Sequence, residues 1–184
     1  MRFKTREMIL VALFAALTAV GAFINIPIGA VPITLQLLIT LLSGIMLGSK
    51  LGALSQLIYM VIGLLGVPVF SNGTGGITSV FSPSFGYVIG FVVGAYAVGK
   101  IAETLKNSSF ISFFAACIVG VIVIYAIGVP YLYIIINNIM GKTITFEKAL
   151  KIGLVVFIPG DLLKCSIAAA LSLKIVPAIK KAMA

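Results

Sequence analysis

With 184 residues, 61% of them hydrophobic and only 9% charged, the chain has too little polar surface for a soluble domain, where about a quarter of residues carry charge. Its formal charge of +9 comes from thirteen basic residues scattered singly between apolar runs, unlike the clustered basic face of a nucleic-acid binder. Two cysteines in separate apolar stretches and no histidine give neither a disulfide framework nor a recurring zinc pattern, so Cys117 and Cys165 read as small buried hydrophobes.

Lipid is the solvent that suits this composition. Cutting the apolar runs at charges and at Pro or Gly clusters predicts an all-α polytopic membrane protein with six transmembrane helices, folded as a single domain over residues 1–184. The first span covers residues 8–24. Arg2, Lys4 and Arg6 precede it like the start of a secretory leader, but the apolar segments continue instead of giving way to a soluble chain, which favours a first membrane helix. Its small residues Ala12, Ala15, Ala16, Ala19 and Ala22 fall three and four apart and form a smooth strip, fit to seal against a neighbouring helix or against a partner protein. Asn25, just beyond, reads as a cap at the membrane interface.

The second span covers residues 34–48 and ends at the turn Gly48-Ser49-Lys50; the third, 51–65, follows at once. Gln36 near the outer end of the second is a candidate cavity residue, whereas Gln56, deeper in the third, reads as a helix–helix hydrogen bond. The connector 66–82 is rich in glycine. Gly73, Gly75 and Gly76 permit backbone angles closed to other residues and close approach to a ligand, and Val69, Phe70 and Phe81 are apolar enough to fold back as a lid. A flexible turn is the alternative. No phosphate-binding loop is present, because no Gly-Lys-Ser/Thr follows.

Residues 83–102 form the fourth span, with Tyr87 just inside it, and 110–128 form the fifth. A long connector follows, apolar over 131–140 around Asn137-Asn138, then a short helix over 145–158 capped by Thr145 and ended or kinked at Pro159-Gly160. The sixth span covers 160–176. An even number of crossings puts both termini on one side. The distribution of Lys and Arg places that side in the cytoplasm: nine of them fall on the internal segments, and Lys142, Lys148 and Lys151 on the external ones.

Asp161 and Lys164 stand three apart in the last span, on one helical face, among Phe157, Ile158, Leu162 and Leu163. A charge at mid-membrane depth costs about 2.5–3.5 kcal/mol on insertion scales. The two either satisfy each other and fix helix register, or they meet a polar ligand. As ligand contacts, the lysine supplies donors to a carboxylate or carbonyl and the aspartate accepts from N–H groups. The fitting ligand is a small molecule with donors and acceptors on an apolar body. Asn72 and Tyr87 add an amide and a phenol to such a site. A bare metal ion would meet one carboxylate and a repelling lysine.

Four blocks carry a family resemblance: Val31-Pro32-Ile33-Thr34-Leu35-Gln36; Gly66-Val67-Pro68-Val69-Phe70 with Gly73 to Gly76; Pro83-Ser84-Phe85-Gly86-Tyr87; and Pro159-Gly160-Asp161-Leu162-Leu163-Lys164. In order and spacing the chain resembles the biotin-specific substrate-capture subunits, the BioY family, of energy-coupling factor transporters. The third block departs mildly, since Pro-Thr-Gly-Gly-Tyr is commoner than the Pro-Ser-Phe-Gly-Tyr found here.

The resemblance implies a six-helix protein of a prokaryotic cell membrane, without a cofactor or catalytic activity, that binds biotin in an outward-facing pocket. Its implied partners are membrane lipid, a transmembrane coupling subunit and two ATP-hydrolysing subunits. By motif position it implies Asn72, Tyr87, Asp161 and Lys164 as biotin contacts beside Gly73, Gly76 and Gln36, and Ala12, Ala16 and Ala19 as the face toward the coupling partner. Which end of biotin meets Lys164 stays open. Two other readings remain at this point: a solitary ion-coupled carrier that titrates Asp161, and a membrane assembly factor in which the pair only stabilises the fold.

Overall fold

A computed structural model describes residues 4–27, 29–105 and 109–183, with side chains described through Val176. Arg2 and Lys106 of the charge distribution lie outside the described residues, as do the side chains of Lys180 and Lys181. Helix α1 spans Thr5–Phe23 and leads into a two-stranded antiparallel ladder, β1 (Asn25–Ile26) with β2 (Ile33–Thr34). The Asn25 side-chain amide donates to the carbonyl of Ala22 at 3.1 Å, giving one of the last α1 carbonyls a partner as an interfacial cap should.

Helix α2 spans Gln36–Leu64, α3 Phe85–Thr104 and α4 Phe110–Asn138; the short α5, Phe146–Gly153, precedes α6, Ile158–Met183. Among the described residues five helices, not the expected six, are long and apolar enough to cross a membrane, with α5 and α6 counting as one over Phe146–Val176. The difference lies at Gly48, where two separate spans were expected. The backbone there takes φ 83° and ψ 177°, a conformation open essentially only to glycine, and one helical element reverses without a loop. Gln36 and Tyr59, about 35 Å apart along a straight helix, are hydrogen-bonded at 2.7 Å across the fold-back. Neither arm has the about 20 residues that cross a bilayer unaided.

The arms close on small residues. A Cβ on Gly52 would lie 2.8 Å from the Cα of Gly44, and one on Gly44 would lie 2.5 Å from the carbonyl oxygen of Ala95 in α3. Close backbone approach is how membrane helices gain packing where lipid removes the hydrophobic drive. At the turn, one Glu103 carboxylate oxygen accepts from the Ser49 backbone N–H at 2.7 Å and from its hydroxyl at 2.9 Å, capping the returning arm. Deeper in, the fully buried Gln56 is the helix–helix link expected of it: its amide meets Thr18 of α1 and, on the opposite arm of α2, Thr40 and Ser43.

Two further expectations move. Helix α4 does not stop at Gly128 but runs through Pro130 to Asn138, because neighbouring membrane helices tolerate the one backbone bond that proline removes. Asn137 then ends it, its side-chain oxygen accepting from the Ile144 N–H at 2.9 Å. Thr145 caps α5 as expected, accepting from the Lys148 N–H at 3.2 Å. The break before α6, however, falls at Leu154–Phe157, and Pro159 occupies the first turn of α6, where its missing N–H costs nothing. The end of α1 packs against Gln36, the end of α3 caps the Gly48 turn through Glu103, Tyr131 of α4 bonds Val80, and Tyr125 of α4 bonds Asp161 at the start of α6; the start of α1 and the end of α6 therefore lie toward the Gly48 end of the bundle and the 66–82 segment at the other.

Candidate functional site

At that other end, the first turn of α6 carries Asp161, where the partial positive charge of a helix N-terminus favours a carboxylate. Asp161 is 4% exposed and Lys164 7%. The Lys164 ammonium donates to Oδ1 of Asp161 at 2.9 Å, while the Tyr125 hydroxyl of α4 donates to Oδ2. Both carboxylate oxygens are therefore engaged, yet each keeps a lone pair for a further donor.

Tyr125 meets the ring of Tyr87 edge-on, with centroids 5.9 Å apart and planes at 86°. Tyr87 in turn donates to the carbonyl of Gly153 at 2.7 Å, which fixes α3 against the end of α5. Across the cavity, Gln36 opens α2. Its amide N–H donates to the Tyr59 hydroxyl at 2.7 Å and its oxygen accepts from Thr34 at 3.0 Å; Tyr59 passes the chain on to the carbonyl of Val69 at 3.1 Å. Phe70 fills the angle between Tyr59 and Phe85, edge-on to both at 5.6 and 6.0 Å.

These groups surround a cavity that opens at one end, with about 690 Å³ of unfilled space when the solvent at its mouth is included. Phe70, Phe85, Phe91, Val88 and Ile124 make its apolar walls, and Asp161, Lys164 and the phenols of Tyr87 and Tyr125 gather at one side. The chemistry on offer is a cation and an anion held at contact distance beneath an apolar chamber. It is complementary to a ligand with both acceptors and N–H donors on a hydrocarbon frame.

Of the residues singled out in the sequence, Gln36, Tyr87, Asp161 and Lys164 share this cavity. Asn72, Gly73 and Gly76 do not line it. Asn72 is exposed at φ 63° on the 66–82 segment, where Gly73 and Gly76 also have positive φ; their neighbours Ser71 and Thr74 are the ones at the wall. Of the apolar residues expected to fold back, Phe70 is buried and Phe81 is 57% exposed. Ala15 and Ala22 of the first helix are buried, Ala19 is half-buried, and Ala12 and Ala16 face outward.

Sequence reasoning missed Tyr125 and Tyr59. Tyr125 is 36 positions from Asp161, and no spacing rule links them. The available signal was a phenol inside an apolar helix, which needs a partner for its hydroxyl.

Residues 1–181 match the model of the BioY family. The chain belongs to that family. It is 44% identical over 158 residues to a probable biotin transporter BioY of Lysinibacillus sphaericus, covering 86% of this chain and 80% of the relative. It is 39% identical to the biotin transporter BioY of Thermotoga maritima, covering 92% and 95%. The crystal structure of an S-component for biotin from an ECF-type ABC transporter superposes with a TM-score of 0.82 at 26% identity, over 95% of this chain and 94% of that one.

Proposed function

We propose that this chain binds biotin with high affinity in the cavity over Asp161 and Lys164, and serves as the substrate-capture subunit of an energy-coupling factor transporter. One observation carries the reading: a buried Asp–Lys pair, braced by Tyr125, at the wall of an apolar cavity in a BioY-family chain. Biotin has a ureido group with two N–H donors and a carbonyl acceptor, an apolar bicycle, and a carboxylate tail. Asp161 accepts a ureido N–H, Lys164 donates to a ligand oxygen, and Tyr87 and Gln36 close the sides. Asn72, Gly73 and Gly76 join when their segment folds over the mouth, a movement supported by the position of Ser71 and Thr74 already at the cavity wall.

The transmembrane coupling subunit docks on the outward face of α1 through Ala12, Ala16 and Ala19. The exposure of Ala12 and Ala16 supports this. Two ATP-hydrolysing subunits supply the energy, in keeping with a sequence that has no nucleotide-binding loop. The Gly48 end, with Lys50, Lys100 and Lys174 exposed, faces the cytoplasm and carries both termini; Lys142, Lys148 and Lys151 lie at the external end.

Equilibrium titration of the purified protein in detergent with biotin tests the reading. Saturable one-to-one binding at nanomolar concentration is expected, and a folded protein without binding rejects it. Uptake by the chain alone that collapses with an ionophore, and ignores the ATP-hydrolysing partners, would assign it to an ion-coupled carrier instead.

A further inference from the structure

Tyr59 is 1% exposed and does not line the polar cavity, yet it touches two residues that do. Its hydroxyl lies 2.7 Å from the Gln36 side-chain nitrogen, and its ring meets Phe70 edge-on at 5.6 Å. It stands behind the cavity wall.

The hydrogen bonds around it can run in one direction only. The Val69 carbonyl can only accept, so the Tyr59 hydroxyl donates its proton there at 3.1 Å and has none left for Gln36. The amide must therefore turn its NH2 end toward Tyr59. The other end agrees. The Thr34 hydroxyl accepts from the Gln36 backbone N–H at 3.2 Å, which leaves its own proton for the Gln36 side-chain oxygen at 3.0 Å. The two ends of an amide are nearly identical in shape, and only such a network tells them apart.

Val69 is itself seated. The next residue, Phe70, donates its N–H to the Thr74 carbonyl at 3.0 Å, and Gly76 donates to the Gly63 carbonyl at 2.7 Å, which ties the 66–82 segment to the end of α2. Tyr131 holds the same segment at the Val80 carbonyl, away from Gln36.

We propose that Tyr59 is a positioning residue of the cavity: directed by the Val69 carbonyl, its hydroxyl fixes the donor and acceptor ends of the Gln36 amide on the wall. Each end keeps one capacity for a ligand, an N–H on the nitrogen and a lone pair on the oxygen. A flipped amide would exchange the two, so a ligand already oriented by Asp161 and Lys164 would meet an acceptor in place of a donor. Applied to biotin, the role rests on the substrate reading above.

The test is nuclear magnetic resonance of the full chain in detergent, with isotopic nitrogen in the glutamine side chains. Gln36 and Gln56 are the chain's glutamines, so a Gln36→Leu variant assigns the signals. In Tyr59→Phe, which keeps the ring, the Gln36 NH2 protons should shift and exchange with water at least tenfold faster, with Gln56 unmoved. Tyr131→Phe should leave both as they are. Biotin should bind Tyr59→Phe about fivefold more weakly than the wild type, the worth of one hydrogen bond, but the same change should add less than a twofold loss to Gln36→Leu. Unchanged Gln36 signals in Tyr59→Phe, or an equal shift in Tyr131→Phe, overturns the proposal. So does the same fold loss with and without Gln36, because Tyr59 would then act through the packing of Phe70. The spectra need no biotin, so a wild type with the expected signals and no binding rejects the substrate reading alone.

Discussion

The hydroxyl of Tyr125 and the ammonium of Lys164 divide the carboxylate of Asp161 between them, one to each oxygen. The acid is thereby held from two helices, and its orientation is set before any ligand arrives. Preorganisation of this kind lowers the ordering cost of binding.

Removing one member of the pair should do more harm than removing both. Asp161→Asn leaves Lys164 buried without its counter-charge, which costs about 3–5 kcal/mol, and biotin affinity should fall at least tenfold, about 1.4 kcal/mol. Lys164→Ala should lose as much affinity. The double variant Asp161→Leu, Lys164→Leu should melt near the wild type yet bind no biotin. Thermal unfolding in detergent checks the first half and titration the second; a double variant less stable than either single one would refute the scheme. Tyr125→Phe should bind about fivefold more weakly, the worth of one hydrogen bond of about 1 kcal/mol.

Gly63 sets the position of the aromatic wall. A Cβ there would lie 2.2 Å from Cζ of Phe70, so Gly63→Ala must push that ring out of the angle between Tyr59 and Phe85. Biotin affinity should drop about tenfold, roughly 1.4 kcal/mol, with little change in far-UV circular dichroism. An unaltered isotherm would mean that Phe70 does not shape the occupied site.

Gly48→Ala should destabilise by about 1–3 kcal/mol through backbone strain, and the new methyl would also sit 2.7 Å from the Glu103 carboxylate oxygen that caps Ser49. Glu103→Ala should cost about 1 kcal/mol as a lost cap. Because both act at one turn, the double variant should lose less than the two single losses combined. Additive losses in a thermal-shift series would separate the two effects.

Ala12→Trp and Ala16→Trp should leave biotin titrations unchanged, since neither residue touches the cavity, and should reduce co-purification with the coupling subunit by at least tenfold. If instead the variants fail to bind biotin, the strip belongs to internal packing.

Much of the architecture could be read from hydropathy, because apolar run lengths and breaking residues locate most helix starts within a few positions. Asp161 and Lys164 were legible for the same reason, as charges that hydrocarbon makes costly. Less visible was anything decided by a single backbone angle. Gly48-Ser49-Lys50 reads equally well as a loop between two spans or as a reversal inside one element, and only the φ of Gly48 distinguishes them. Pro130 misled in the opposite direction, since its neighbours, not its own preference, let α4 continue. The candidate site is legible where a residue type stands out in an apolar helix, and not where, as with Tyr125, it depends on which helices touch.

The reversal at Gly48 also bears on how the protein reaches its membrane. The first arm carries Thr40 and Ser43 and the second carries Gln56, whose amide meets both across the fold-back and reaches Thr18 of α1, with Ser55 beside it. A nascent chain that released either arm into lipid alone would expose those groups to hydrocarbon on a segment too short to span it. The two arms of residues 36–64 are therefore expected to enter the bilayer as one unit, packed against the first helix. The order of synthesis, with Thr18 made first, supplies that template.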